Sequence, residues 1–393
     1  MINKIELYFN NFNFNIKKTH NARFLDQKVT PDVLSIVADC VLNHISNNGI
    51  TEFTSTDIWR DNYSNENVID IFGKTDVNNP KAKSEYDKFF QQPLKALSYA
   101  GVLEEIKKGR QIHFTIKNKE ILEYISFKER NSLEFLNIYL EKVLKDSDMW
   151  SIFENFFNSN TNDNFDILKS KYEEFIIKHT PINGKTEVRR IFTKVLNPLA
   201  FKRRKHGTKG GHFSKDIITR DTLMYNRKNW RDINKRKGET REEYDLRVNN
   251  EKNKEEAYIK YTLNKAKNII KKLHRITSEV TDKFANGEAT QIHHIFMKSQ
   301  YPKISSSLEN LILLTATQHF TKAHPNNNTS LINKDYQLIC LLAKSESVQK
   351  YNNVYSKEDF LYVIKIGLKY EFDNNVSFKN IQSKLIELYN DIA

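Results

Sequence analysis

The sequence reads as a mainly α protein with small β elements, an α+β chain. Three observations carry that reading. Apolar residues recur at helical spacing over long stretches, as in Val33, Ile36, Val37, Cys40, Val41 and Ile45. Strand-like runs are short and come in pairs around polar segments, at 102–106 with 111–116 and at 289–296 with 311–314. Helix starts carry local capping chemistry, as at Thr30-Pro31-Asp32 and at Thr240 with Glu243.

In chain order, residues 1–28 are polar and aromatic, and alternation over 11–16 predicts a strand or an extended arm. The first helix begins at Thr30 with Pro at its first position and is closed by Gly49. Thr54 to Asp57 starts a second helix, and a third carries Phe89, Phe90, Leu94, Leu97 and Tyr99. A hairpin then turns at 107–110 around Gly109. Residues 119–200 read as helical. The segment 202–237 is a basic centre, with a Gly-rich stretch at 206–212 expected to be flexible. A Lys-rich amphipathic helix is expected over 255–284, and further helices over 336–344, 357–368 and 381–392.

A chain of 393 residues suggests two or three domains, here 1–125, 126–240 and 241–393. The net charge of +13 points to a polyanionic partner, nucleic acid first. Cys40 and Cys340 each fall in an apolar helical pattern and read as buried free thiols. No CxxC pair is present. The amino terminus lacks the apolar core of a signal peptide, and no apolar run approaches membrane-spanning length. The expectation is a cytoplasmic protein with no membrane partner.

The chemistry concentrates in 291–325, QIHHIFMKSQYPKISSSLENLILLTATQHFTKAHP, which reads as strand, loop, strand, helix. His293 and His294 are adjacent on a strand and so face opposite ways. Asn310 opens the second strand. His319 lies on a short helix that Thr317 can cap and Pro325 stops. This arrangement resembles the HNH nuclease motif, the ββα-metal fold, over about thirty-five residues. The resemblance implies that His293 and His319 hold a divalent metal ion and that His294 is the general base. Asn310 holds the loop and orients that base. Mg²⁺ or Mn²⁺ comes first, with Zn²⁺, Ni²⁺ and Co²⁺ open, since His293 stands where many members have Asp and imidazole suits softer cations. Related nuclease toxins place another ligand four residues after the helix His; here that residue is Ala323. His324 lies about 140° round an α-helix from His319. It is a second-rank candidate, contacting a phosphate or reaching the metal through a distorted last turn. The implied reaction is phosphodiester hydrolysis leaving 5′-phosphate and 3′-hydroxyl ends. One such site cuts one strand, so double-strand cleavage requires a homodimer on DNA or sequential nicking.

Residues 28–118 resemble a winged helix, which would put Lys95, Ser98 and Tyr99 against DNA and Lys107, Lys108 and Arg110 on phosphates. In the basic centre, Arg203, Arg204, Arg227, Asn229, Trp230 and Arg231 are the expected DNA contacts. The whole is an N-terminal winged-helix-like region, a helical connector and a C-terminal ββα-metal domain. It resembles type II restriction endonucleases that act on double-stranded DNA at or near a specific sequence. A homing or modification-dependent nuclease, and a non-catalytic DNA-binding regulator, are the alternatives.

Overall fold

The computed structural model describes residues 1–80, 82–225, 233–324, 328, 331–373 and 375–390, with backbone alone at 83–87. Arg227, Asn229, Trp230, Arg231 and Pro325 lie outside the described residues. The chain is 61% helix and 10% strand, so it is mainly α with small antiparallel sheets. No helix among the described residues is long and apolar enough to cross a membrane. Both cysteines are buried and free.

Two compact units divide the chain, Met1–Lys254 and Glu255–Ala393. The first unites what the sequence suggested as separate regions 1–125 and 126–240. It opens with α1 (Ile2–Phe9), α2 (Ile16–Thr19) and α3 (Pro31–Asn48). β1 (Glu52–Thr54), α4 (Ser55–Arg60), α5 (Asn62–Phe72), α6 (Lys83–Tyr99), β2 (Leu103–Lys108) and β3 (Gln111–Ile116) follow. Then come α7 (Lys119–Phe127), α8 (Glu129–Asp146), α9 (Trp150–Asn158), α10 (Asn162–His179) and α11 (Lys185–Lys202). A second hairpin, β4 (His206–Lys209) and β5 (His212–Ile217), precedes α12 (Arg220–Leu223) and α13 (Arg241–His274), which runs across the division. The two regions are joined because α8 packs against α1, α3 and α7.

The first sheet has strand order β1-β3-β2, all antiparallel, with Phe53 opposite Phe114 inside. Gly109 takes a φ of +62° at the turn between β2 and β3, a conformation that costs a residue with a Cβ. Two expectations are corrected here. Residues 11–15 are irregular, not a strand, and α1 precedes them because Ile5 and Phe9, one helical turn apart, both bury. The Gly-rich 206–212 is an ordered hairpin whose turn uses Gly210 and Gly211 at φ +61° and +84°. Gly207 lets that hairpin lie against α11: a Cβ there would meet Asn197 Oδ1 at 2.5 Å. Asn197 in turn donates to the Thr208 carbonyl (3.0 Å) and accepts from its N–H (2.9 Å).

The second unit contains β6 (Ala289–His294), β7 (Leu311–Thr315), α14 (Lys334–Lys350), α15 (Lys357–Leu368) and α16 (Phe378–Asn390). The helix expected to reach residue 284 stops at His274, where Arg275 turns to φ +57°. The non-helical segment that follows lines the outer edge of β7. Glu279 donates its N–H to the Leu313 carbonyl (2.9 Å) and accepts the Leu313 N–H on Oε1 (2.9 Å). Its other oxygen pairs with Lys344, both side chains being wholly buried. Every residue of β7 is buried. Against α15, Gly367 admits the Phe296 ring so closely that a Cβ would meet it at 2.3 Å.

Candidate metal centre and base

The strand pair positions the two adjacent histidines. β6 and β7 are antiparallel, with His293 opposite Ile312 and His294 opposite Leu311. Alternation sends the two imidazoles to opposite faces. His293 is buried at 2% exposure, whereas His294 is half-buried.

After β7 the chain makes a π-helical turn, Gln318–Ala323. Its start is clamped by Gln318, which is fully buried. Gln318 Oε1 accepts from the Thr315 N–H (3.0 Å) and the Ser278 hydroxyl (2.6 Å), and Nε2 donates to the Val280 carbonyl (2.9 Å). Thr315 rather than Thr317 caps the turn, its hydroxyl accepting from the Gln318 N–H (3.2 Å). The His324 N–H donates to the His319 carbonyl (3.2 Å), an i→i+5 bond. That wider ring stacks residue 324 over residue 319, two positions that an α-helix would hold about 140° apart. The expected α-helix is therefore corrected to a π-turn, and the distortion joins His324 to the cluster.

His293, His319 and His324 converge. Their ring centroids are 5.3, 4.9 and 4.8 Å apart, and one ligand nitrogen from each lies within 4.8 Å of the others. His293 Nε2 and His319 Nδ1 are buried and have no hydrogen-bond partner. The His324 Nδ1–H donates to the Leu331 carbonyl (2.7 Å), which leaves its Nε2 lone pair for a ligand role. Burial, then the neighbouring His324, His319 and His294, hold His293 well below the usual imidazole range. Burial and His324 push His319 down to about 4. Three converging imidazoles, two of them with an orphaned ring nitrogen, suit a divalent cation.

On the other face, His294 Nε2 lies 3.0 Å from the Ser305 carbonyl. A carbonyl only accepts, so Nε2 carries the proton and Nδ1 is the basic nitrogen. Burial lowers its pKa, the Ser305 bond opposes that, and Lys267 and Lys298 nearby lower it further. Neither lysine forms an ion pair among the described residues. Asn310 makes no hydrogen bond to His294 among the described residues. Its Oδ1 accepts from the Phe296 N–H (2.8 Å), and its Nδ2 donates to the carbonyls of Phe296 (3.0 Å) and Ile304 (3.2 Å). It staples the two ends of the loop that brings Ser305 to His294. Glu309, the carboxylate within the motif, is buried and accepts from the Ser307 hydroxyl (3.0 Å) and the Ser356 N–H (2.8 Å). Sequence reasoning missed Ser305, Gln318, Lys267 and Lys298. Backbone acceptors have no residue signature, and Lys267 sits on α13, far from the motif.

In the first unit the expected contacts divide. The Tyr99 hydroxyl bonds to Thr19 (2.9 Å) and the Phe14 carbonyl (3.2 Å), and its ring packs on Phe14. The amino-terminal segment covers it. Arg203 has partners within the unit. Its guanidinium lies over the rings of Trp150 (4.9 Å) and Phe157 (4.8 Å) and bonds to Glu141 (3.0 Å), fastening α11 to α8 and α9. Lys95 faces Glu105 at 3.8 Å, Lys108 pairs with Glu52 at 2.6 Å, and Ser98 is half-buried. Lys107, Arg110 and Arg204 are exposed and form no ion pair among the described residues.

No family model, curated protein or solved structure matches the chain.

Proposed function

We propose that the chain is a metal-dependent endonuclease that hydrolyses phosphodiester bonds of double-stranded DNA at or near a specific sequence, in the manner of type II restriction enzymes. One observation carries the reading: the cluster of His293, His319 and His324 next to a carbonyl-anchored His294 on the same strand. The order of α3, β1, α4, α5, α6, β2 and β3, with sheet order β1-β3-β2, supports a winged-helix reading of the first unit.

His293, His319 and His324 are the residues that would hold the cation. When bound, it supplies positive charge against the scissile phosphate and the departing oxyanion. Glu309 being engaged elsewhere, the donor set is imidazole alone, which favours Mn²⁺, Co²⁺, Ni²⁺ or Zn²⁺ over Mg²⁺. His294 Nδ1 takes the proton of the attacking water, and its lowered pKa keeps it neutral at physiological pH. The Ser305 carbonyl fixes ring orientation and tautomer. Lys267 and Lys298 place positive charge close to the base, where a DNA phosphate would arrive.

The test is incubation of the full chain and of His294→Ala with supercoiled plasmid and each cation in turn, followed by sequencing of the ends. The expectation is cleavage by the wild type with 5′-phosphate ends, and loss of cutting with retained DNA binding in the variant. A variant that cuts within about tenfold of wild type rules out His294 as the base, since a general base contributes about 10² to 10⁴. Absence of cleavage with every cation and a broad set of DNA sequences sinks the nuclease reading.

A further inference from the structure

Unit 1 contains a second helix–helix–hairpin assembly with its own aromatic core. Phe153, Phe156, Phe165, Tyr172, Phe192 and Phe213 join α9, α10, α11 and β5, with Tyr172 and Phe192 at 5.0 Å and Phe165 and Phe213 at 5.9 Å between centroids. Helices followed by a tight hairpin repeat the order of α4, α5, α6, β2 and β3.

The two assemblies differ in charge: residues 150–217 hold thirteen Lys and Arg against seven Asp and Glu, a net of +6, and α11 with its hairpin is the basic part. Residues 28–118 hold eleven Lys and Arg against twelve Asp and Glu, a net of −1. Residues 181–217 hold ten against two, a net of +8 in thirty-seven residues of a chain whose total is +13. Most of that charge is presented outward. Lys185, Arg190, Lys202, Arg204, Lys209 and Lys215 are exposed and form no ion pair among the described residues. On the first hairpin, by contrast, Lys108 is held by Glu52, while Glu104 and Glu105 are exposed beside it.

The second hairpin is also built to approach a backbone closely. Its tip, Lys209-Gly210-Gly211-His212, has no side chain at either turn residue, and Lys169 anchors it by donating to the Gly211 carbonyl (2.7 Å). Asn197 and the missing Cβ of Gly207 seat it firmly on α11. A rigid, cationic, small-tipped projection next to a helix is what gripping a polyanionic backbone requires.

We propose that α11 and the β4–β5 hairpin are the main phosphate-gripping surface of unit 1, with duplex DNA as the partner. The β2–β3 hairpin is then a minor contributor. This rests on the nuclease reading for the identity of the polyanion.

The experiment measures binding of the full chain to a random-sequence duplex in EDTA, so that no cleavage occurs, over about 50 to 200 mM salt. It compares wild type, an Arg190→Ala/Lys209→Ala/Lys215→Ala triple variant, and a Lys107→Ala/Lys108→Ala/Arg110→Ala triple variant. All substituted side chains are exposed, and circular dichroism confirms that each variant is folded. Each lost phosphate contact should lower the log–log salt slope by about 0.9. The α11–hairpin triple variant should therefore bind at least about 30-fold more weakly with a slope smaller by about 2 to 3, and the β2–β3 triple variant should lose less than about fivefold. A wild type that binds duplex while the α11–hairpin variant keeps its affinity and slope overturns the proposal but leaves the nuclease reading standing. So does a larger loss in the β2–β3 variant. A wild type that binds single strands or RNA but no duplex DNA overturns both.

Discussion

Asn310→Ala tests whether the loop staple governs the site. The wild-type amide makes three buried hydrogen bonds, to the Phe296 N–H, the Phe296 carbonyl and the Ile304 carbonyl. Asn310 is fully buried and Phe296 is 1% exposed, so water does not readily replace the lost partners. Each orphaned buried group costs about 1–3 kcal/mol, and partial hydration of the vacated space brings the sum to about 3–5 kcal/mol. That is a large fraction of the stability of an ordinary domain, about 5–15 kcal/mol. Asn310→Asp should be no better. It keeps an acceptor for Phe296 N–H but turns a carboxylate oxygen toward two carbonyls. The assay is urea unfolding followed by fluorescence, with cleavage measured on the fraction still folded. On the proposed nuclease reading, where Asn310 would act through Ser305, the folded fraction should lose turnover more than DNA affinity. An Asn310→Ala protein whose unfolding free energy lies within about 0.5 kcal/mol of wild type, the range of an ordinary surface change, refutes the reasoning.

Three further outcomes are expected. Gly367→Ala gains about 1 kcal/mol of helix propensity but forces a methyl into the Phe296 ring at 2.3 Å, an overpacking cost of about 1–3 kcal/mol; calorimetry should show a lower melting temperature, and a higher one would show that the ring does not rest there. Lys344→Met leaves the buried Glu279 carboxylate without its cation and should cost about 3–5 kcal/mol in urea unfolding, while Glu279→Gln/Lys344→Met recovers most of it; equal losses in both would mean the pair does not interact. His324→Ala should stay folded and weaken Co²⁺ binding, followed by visible absorption, by more than the roughly 10–100-fold cost of losing a mere supporting bond; binding within about threefold of wild type would return the site to two histidines.

The parts of this chain that were legible in sequence are those with local causes. Thr54 and Asp57 exchange the capping bonds their spacing implies, and so do Thr240 and Glu243. The alternation of β6 separates His293 from His294 because a strand allows nothing else. What was illegible has causes spread across the fold. A π-turn and an α-turn share one residue alphabet, so the place of His324 depended on which carbonyl its N–H reached. The partners of Tyr99, Phe14 and Thr19, lie some eighty residues earlier, beyond any local pattern. The partners of Arg203, Trp150, Phe157 and Glu141, are likewise set by the packing of α8, α9 and α11. The hairpin at 206–217 was hidden because its strands are short of the β-branched residues that announce one, and the glycines read as slack.

The closed edge of β7 has a consequence for how this protein survives its own synthesis. Leu311–Leu314 is a run of four aliphatic residues with no charge or proline, the composition of a segment that recruits copies of itself. β6 occupies one side of it. On the other, Glu279 presents a single peptide N–H and a single carboxylate oxygen to Leu313, enough to fill the positions an intruding strand would use. Both groups come from a segment that precedes β7 in the chain, so the guard is synthesised before the strand it covers. Glu279→Ala should aggregate during refolding with a steep dependence on protein concentration, even under conditions where the finished fold is stable.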